Sequence, residues 1–198
     1  TPDQLLSCHA EVELRLREDL APMSGLQVLD TLELPLVPVL VSMEQRGISL
    51  DIAELRQQSK GLAEDISHLE KKIHHEAKEV FNIASPKQLG EILFNKMGLP
   101  PSKKTKTGFS TASDVLSKLA AQYPICSLIL EYRELSKLKS TYVDALPELV
   151  NRETGKIHTH FRQALTTTGR LSSVNPNLQN IPVRTERGRL VRKAFVAG

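Results

Sequence analysis

Two stretches with apolar residues at helical spacing constrain this chain more than any other feature. From Asp51, whose spacing to Glu54 is that of a capping box, Leu55, Leu62, Ile66, Leu69 and Ile73 recur at three-, four- and seven-residue intervals. They predict one side of a long helix. So narrow an apolar stripe needs a partner helix to cover it. After Pro124, the residues Leu128, Ile129, Tyr132, Leu135, Leu138 and Tyr142 predict that partner. The pair reads as a long antiparallel arm.

Shorter pieces lie between the two. Ser85 and Pro86 have the character of an N-cap and first turn for SPKQLGEILFNKMG, which stops at Gly98, and Thr111 with Asp114 predicts a cap for DVLSKLAAQ. The linking LPPSKKTKTGFS has no periodic apolar residues and reads as a loop at the far end of the arm. Its spacing of glycine to lysine is not that of a Walker-type phosphate loop. Ahead of the arm, AEVELRLREDL and LELPLVPVLVSMEQR predict helices separated by a break at Pro22 to Gly25 and ended by Gly47. From Asn151 the period changes: in KIHTHFRQAL, Ile157, Thr159, Phe161, Gln163 and Leu165 alternate with His158, His160, Arg162 and Ala164, as in a strand. The fold class is therefore mainly α with a small β part.

Composition excludes some classes of function. The 198 residues are 40% hydrophobic and 25% charged, the balance of a soluble globular domain. No apolar run approaches the roughly 18 residues of a membrane span, and the N-terminus lacks a signal-peptide pattern. Cys8 and Cys126 stand alone and far apart, so both are expected to be structural. His158 and His160 share one face of the strand, but no third metal ligand accompanies them. The net charge of +3 is small, yet Lys103, Lys104 and Lys106 form one basic knot and Arg184, Arg187, Arg189, Arg192 and Lys193 another. Clustered cations of this kind point to a polyanion.

The stretch TTTGRLSSVNPNLQNIPVRTERGRLVRKAF, beginning at Thr166, concentrates fixed hydrogen-bond donors beside few carboxylates. It closely resembles a block of the family A DNA polymerases, the bacterial DNA polymerase I type. The likeness extends upstream through FNIASPKQLGEILF, KKTKTGFST and LILEYRELSKLKSTY, and covers the chain from about Leu34 onward. The resemblance implies that residues 1–33 are the C-terminal edge of an exonuclease-like domain. Residues 34–150 would be the thumb, with its tip at about 99–110, and residues 151–198 the start of an α+β palm.

Roles follow from the same resemblance, and the chemistry agrees with them. A polymerase must hold duplex of any sequence, so most contacts should go to phosphates. Purine N3 and pyrimidine O2 face the minor groove at every correct pair, so an arginine reaching them tests pair geometry without reading sequence. Arg170 matches the family arginine that does this. Asn177, Gln179 and Asn180 are implied to lie along template and primer, and Arg184 near the phosphates of the incoming nucleotide. Arg133 and Lys137, four residues apart on the arm opposite its apolar stripe, match residues contacting the DNA backbone. Asn82, Ser85, Lys103, Lys104 and Thr105 are implied as further phosphate contacts.

The partners implied are primer-template DNA and deoxynucleoside triphosphates, with Mg2+ in a two-metal site. The aspartates for that site are expected downstream of GRLVRKAF, so this chain is expected to be part of a longer enzyme, to bind DNA weakly or not at all, and not to polymerise alone. Leu5 and His9 stand where active proofreading relatives carry a tyrosine and a metal-binding aspartate, so proofreading is expected to be lost. A monomer in the bacterial cytoplasm, associated with the nucleoid and not with a membrane, is the expected setting. The competing expectation is a stand-alone DNA-binding or helical interaction module without catalysis.

Overall fold

The computed structural model describes residues 2–101, 104, 105 and 108–197. In chain order, its elements are α1 (Pro2–Leu20), α2 (Gly25–Val28), α3 (Leu34–Arg46), β1 (Ile48–Leu50), α4 (Ile52–Ala77), α5 (Pro86–Gly90), β2 (Lys104–Thr105) and β3 (Gly108–Phe109). There follow α6 (Ser113–Leu119), α7 (Pro124–Leu138), α8 (Ala145–Glu148), β4 (Lys156–Ile157), β5 (His160–Arg162), β6 (Ser172–Val174), α9 (Glu186–Lys193) and β7 (Phe195–Val196). Residues divide into two compact units, one of Thr1–Ile48 with Asn151–Asn180 and one of Ser49–Val150 with Ile181–Gly198. The chain is mainly α with small antiparallel sheets, as its periodicity predicts.

The second unit is built on the apolar stripe. Asp51 caps α4 by accepting a hydrogen bond from the Glu54 amide at 2.9 Å, and Leu55, Leu62, Leu69 and Ile73 are buried along the helix. Ile73, at the far end of α4, shares a core with Ile125, Cys126 and Ile129 at the start of α7. Ser59, near the start of α4, donates to Asp144, beyond the end of α7. The two helices therefore run antiparallel, each covering the other's stripe. Burial works against the Asp144 carboxylate, but hydrogen bonds from Lys139 and Ser59 outweigh it and hold the group below its ordinary range. Cys126 is buried and its thiol is pushed up, which makes it unreactive; the Cys8 side chain lies outside the described residues.

Ser85 caps α5 through the Gln88 amide, as its sequence predicts. Thr111 does not cap α6. Ala112 takes the N-cap position with no side-chain bond, and Thr111 is buried with its hydroxyl turned to Arg133. The tip segment, expected as a loop, contains a small antiparallel hairpin in which Lys104 pairs with Phe109 and Thr105 with Gly108. Its apolar anchor is Phe109, edge-on to Phe94 at 5.3 Å. At the other end of this unit, β1 pairs antiparallel with β7, Leu50 opposite Phe195, and Gln58 of α4 donates to the Leu190 carbonyl of α9.

In the first unit, α1 to α3 are followed in space by the hairpin β5–β6, with His160 opposite Val174, Phe161 opposite Ser173 and Arg162 opposite Ser172. The single strand expected over 156–165 is interrupted at His158 and Thr159. There the His158 ring bonds the Glu44 carbonyl, and the Thr159 hydroxyl bonds Ser173 and the carbonyls of Val174 and Pro176. The run Gly25–Arg46 is long and apolar enough to cross a membrane by length and composition. This corrects the expectation from apolar runs, which Asp30 and Glu33 interrupt.

Candidate nucleic-acid interface

The hairpin loop between β5 and β6 is tied down at many points, and Arg170 sits in it. Gly169 adopts φ +70, its amide bonds the Thr166 carbonyl at 3.2 Å, and the Thr166 hydroxyl donates to the Arg170 carbonyl at 2.8 Å. The main chain at Arg170 is thus held from within the loop. Its side chain is exposed, so the guanidinium projects from a fixed base.

The segment after the hairpin is fixed by its own polar side chains. Ser173 is 1% exposed, and Thr159, also buried, faces it at 2.7 Å. Between them the two hydroxyls reach the carbonyls of Val174 and Pro176, and Ser173 accepts from the Leu178 amide. Buried hydroxyls need such partners, since an unpaired one would cost about 1–3 kcal/mol. Gln179 accepts from the Ser173 amide and donates to the Leu171 carbonyl, so both ends of its amide are engaged within the segment. Asn177 accepts from the Gln179 amide through Oδ1. Asn177, Gln179 and Asn180 are all exposed along this turn.

In the second unit, Arg184 is exposed immediately before α9. Thr185 caps that helix by accepting from the Gly188 amide. Gly188 lies so close to Pro182 that a Cβ there would meet the proline carbonyl oxygen at 2.6 Å. Only glycine lets the VRT turn pack on the helix this way. Of the neighbouring cations, Arg187 pairs with Asp65 and Arg189 donates to the Arg184 carbonyl.

The arm carries the remaining candidates. An open hollow of about 720 Å³ is lined by Pro86, Lys87, Glu91, Phe109, Thr111 and Arg133 among others. Arg133 is not free on the face opposite the stripe: it is half-buried and donates to both the carbonyl and the hydroxyl of Thr111. Burial lowers the pKa of its guanidinium from the ordinary value, though arginine stays charged throughout the physiological range. Lys137, one turn on, is exposed. Asn82 and Ser85 use their side-chain oxygens to bond the Ala84 and Gln88 amides. Lys104 and Thr105 lie in the tip hairpin, while Lys103 lies outside the described residues.

Sequence reasoning missed the residues that hold the Arg170 hairpin from outside. Glu44 of α3 accepts from the Phe161 amide at 2.6 Å and from His160 at 3.2 Å. These bonds, the amide first, hold its carboxyl below the usual range. Gln163 donates to the carbonyl and carboxylate of Glu33 at 2.9 and 2.6 Å. His158 Nδ1 donates to the Glu44 carbonyl, so its Nε2 accepts from the Thr154 hydroxyl when the ring is neutral. The histidine pair thus has hydrogen-bonding work unrelated to metal. More than a hundred residues separate Glu33 and Glu44 from the residues they hold, and no local pattern signals such pairs. Among the described residues, no group of three or more His, Cys, Asp or Glu is placed to hold a metal ion.

The model of DNA polymerase family A matches residues 52–198. DNA polymerase I of Bacillus subtilis strain 168 is 50% identical over 182 residues, which is 92% of this chain and 21% of that protein. DNA polymerase I of Synechocystis is 51% identical over 196 residues, 96% of this chain and 20% of that one. The chain therefore spans about a fifth of the length of these relatives. Among solved structures, the POL domain of Pol1 from M. smegmatis, in complex with DNA primer-template and dNTP, is similar with a TM-score of 0.84 and 41% identity, covering 92% of this chain and 32% of that one. With three quarters of its length inside the family match and the fold of a polymerase domain, the chain belongs to DNA polymerase family A.

Proposed function

We propose that the whole protein is a DNA-directed DNA polymerase acting in replication and repair, and that this part of it holds primer-template duplex. Lys137, with Asn82, Ser85, Lys103, Lys104, Thr105 and Arg133, contacts phosphates. Arg170 reaches the minor groove beside the primer terminus, with Asn177, Gln179 and Asn180 along the same strand segment. Arg184 meets the phosphates of the incoming deoxynucleoside triphosphate. The domain reading goes with this: exonuclease-like edge, thumb and first part of the palm, in a monomer of the bacterial cytoplasm.

One observation carries the proposal: an exposed arginine on a hairpin loop whose backbone is held at Gly169, Arg170 and Leu171. A side chain that rises from a fixed main chain has less freedom to lose on meeting its acceptor than one carried by a loose loop. Gln179 serves this by keeping Leu171 and Ser173 in place. Arg133 serves the arm by fixing Thr111 at the base of the tip. Mg2+ would supply charge stabilisation during phosphoryl transfer in the whole protein. The described residues do not fit such a site, so its ligands are assigned outside this chain and no step is derived through it.

The test removes one acceptor atom. Single-turnover extension by the full-length protein is compared on primers ending in guanine and in 3-deazaguanine, which lacks N3. Arg170→Ala should slow extension from guanine about a hundredfold, as loss of a positioned donor does, and should have little further effect on the deaza primer. Equal losses on both primers would show that Arg170 does not read that acceptor.

A further inference from the structure

The outward edge of the β5–β6 hairpin is closed by a helix side chain. In an antiparallel pair, alternate amides point away from the partner strand and need another acceptor. The Phe161 amide is bonded by Glu44 Oε1 at 2.6 Å, where a third strand would otherwise sit. The other oxygen of the same carboxylate holds His160, and the Glu44 carbonyl receives His158. Just past β5, Gln163 takes hold of Glu33 through both carbonyl and carboxylate. The helical run that ends in α3 thus grips β5 at its middle and at the mouth of the loop.

The nine residues from Gln163 to Leu171 form that loop. Its entry is fixed by Gln163 on Glu33, its exit by Gln179 on Leu171, and its interior by Thr166 on Arg170. Removing the grip on β5 frees the entry while leaving the exit and interior bonds in place. Neither Glu44 nor Gln163 belongs to the phosphate-contact set, so changing them should leave that set intact.

We propose that Glu44 and Gln163 are positioning residues that set where Arg170 stands at the primer terminus, and hence how well the enzyme tells a matched terminus from a mismatched one. The inference rests on the reading of Arg170 given above. Displacing a positioned group by about 1 Å is enough to lose much of its effect on rate. Affinity for duplex, which comes chiefly from phosphates, should barely change.

The experiment uses the full-length protein and measures single-nucleotide extension from matched and mismatched termini, with primer-template Kd measured alongside. Glu44→Ala and Gln163→Ala should each lower the matched-to-mismatched ratio about tenfold, with Kd changed less than about threefold. Glu44→Gln, which keeps an oxygen for the Phe161 amide, should restore most of the ratio. Combined with Arg170→Ala, neither pin variant should lower the ratio by more than about twofold further, because they act through the same side chain. Losses that multiply fully in the double variants, or single variants with an unchanged ratio, would overturn the proposal while leaving the reading of Arg170 standing. If Arg170→Ala itself leaves the ratio unchanged, the reading beneath it fails instead. Should Glu44→Ala not fold, Gln163→Ala carries the same cycle.

Discussion

Gly47 shows how much a single position can decide. Its φ of +60 with ψ of −173 is a combination essentially reserved for glycine, and a Cβ there would meet the Ile157 carbonyl oxygen at 2.8 Å and the His158 ring at 2.7 Å. Gly47→Ala should therefore destabilise the protein by about 3 kcal/mol, seen as a lower urea midpoint. A change under about 1 kcal/mol would mean the His158 seat relaxes freely. Glu44 gives a pH signature with a definite sign. Its folded pKa is depressed by the Phe161 amide and by His160, so its contribution is present above the unfolded value of about 4.3 and is lost as pH falls through the lower folded value. Urea unfolding between pH 6 and about 3 should show a steeper loss in the natural protein than in Glu44→Gln. Parallel curves would remove Glu44 from the account.

At the scale of elements, what the sequence makes legible is what has a period. The α4 stripe was readable because Leu55, Leu62, Leu69 and Ile73 face one way and are all buried, and the Asp51 cap was readable because capping is local. Ile66, on the same stripe, is only half-buried. The strand at 156–165 was readable in its alternation: Ile157 and Thr159 are buried, His160 and Arg162 exposed. Its interruption was not: the contacts made there, His158 on Glu44 and Thr159 on Ser173, leave no trace in the alternation. The same holds for Arg133, whose helical position indicates a solvent face but whose guanidinium turns to Thr111. Arg133→Ala should free the base of the tip, costing about 2 kcal/mol for the lost charge-assisted bonds. Faster amide exchange at Phe109 to Leu116 would report it, and unchanged exchange there would contradict the pinning role. Of the candidate site, the exposed arginines were legible by resemblance. The scaffold that holds them was not.

For the whole molecule, the proposed function divides labour between charge and position: the arm's cations would hold duplex through phosphates, and Arg170 would inspect the primer terminus. These roles separate cleanly in salt. Neutralising one phosphate contact on duplex DNA should make log K against log salt shallower by about 0.9, whereas losing a minor-groove donor should leave that slope alone. The decisive measurement is a fluorescence anisotropy titration of the full-length protein against labelled primer-template at several salt concentrations, for the natural sequence, Lys137→Ala and Arg170→Ala. The account predicts a shallower slope for Lys137→Ala, alike on unrelated sequences, and an unchanged slope for Arg170→Ala. An unchanged slope for Lys137→Ala, or a shallower one for Arg170→Ala, would contradict it.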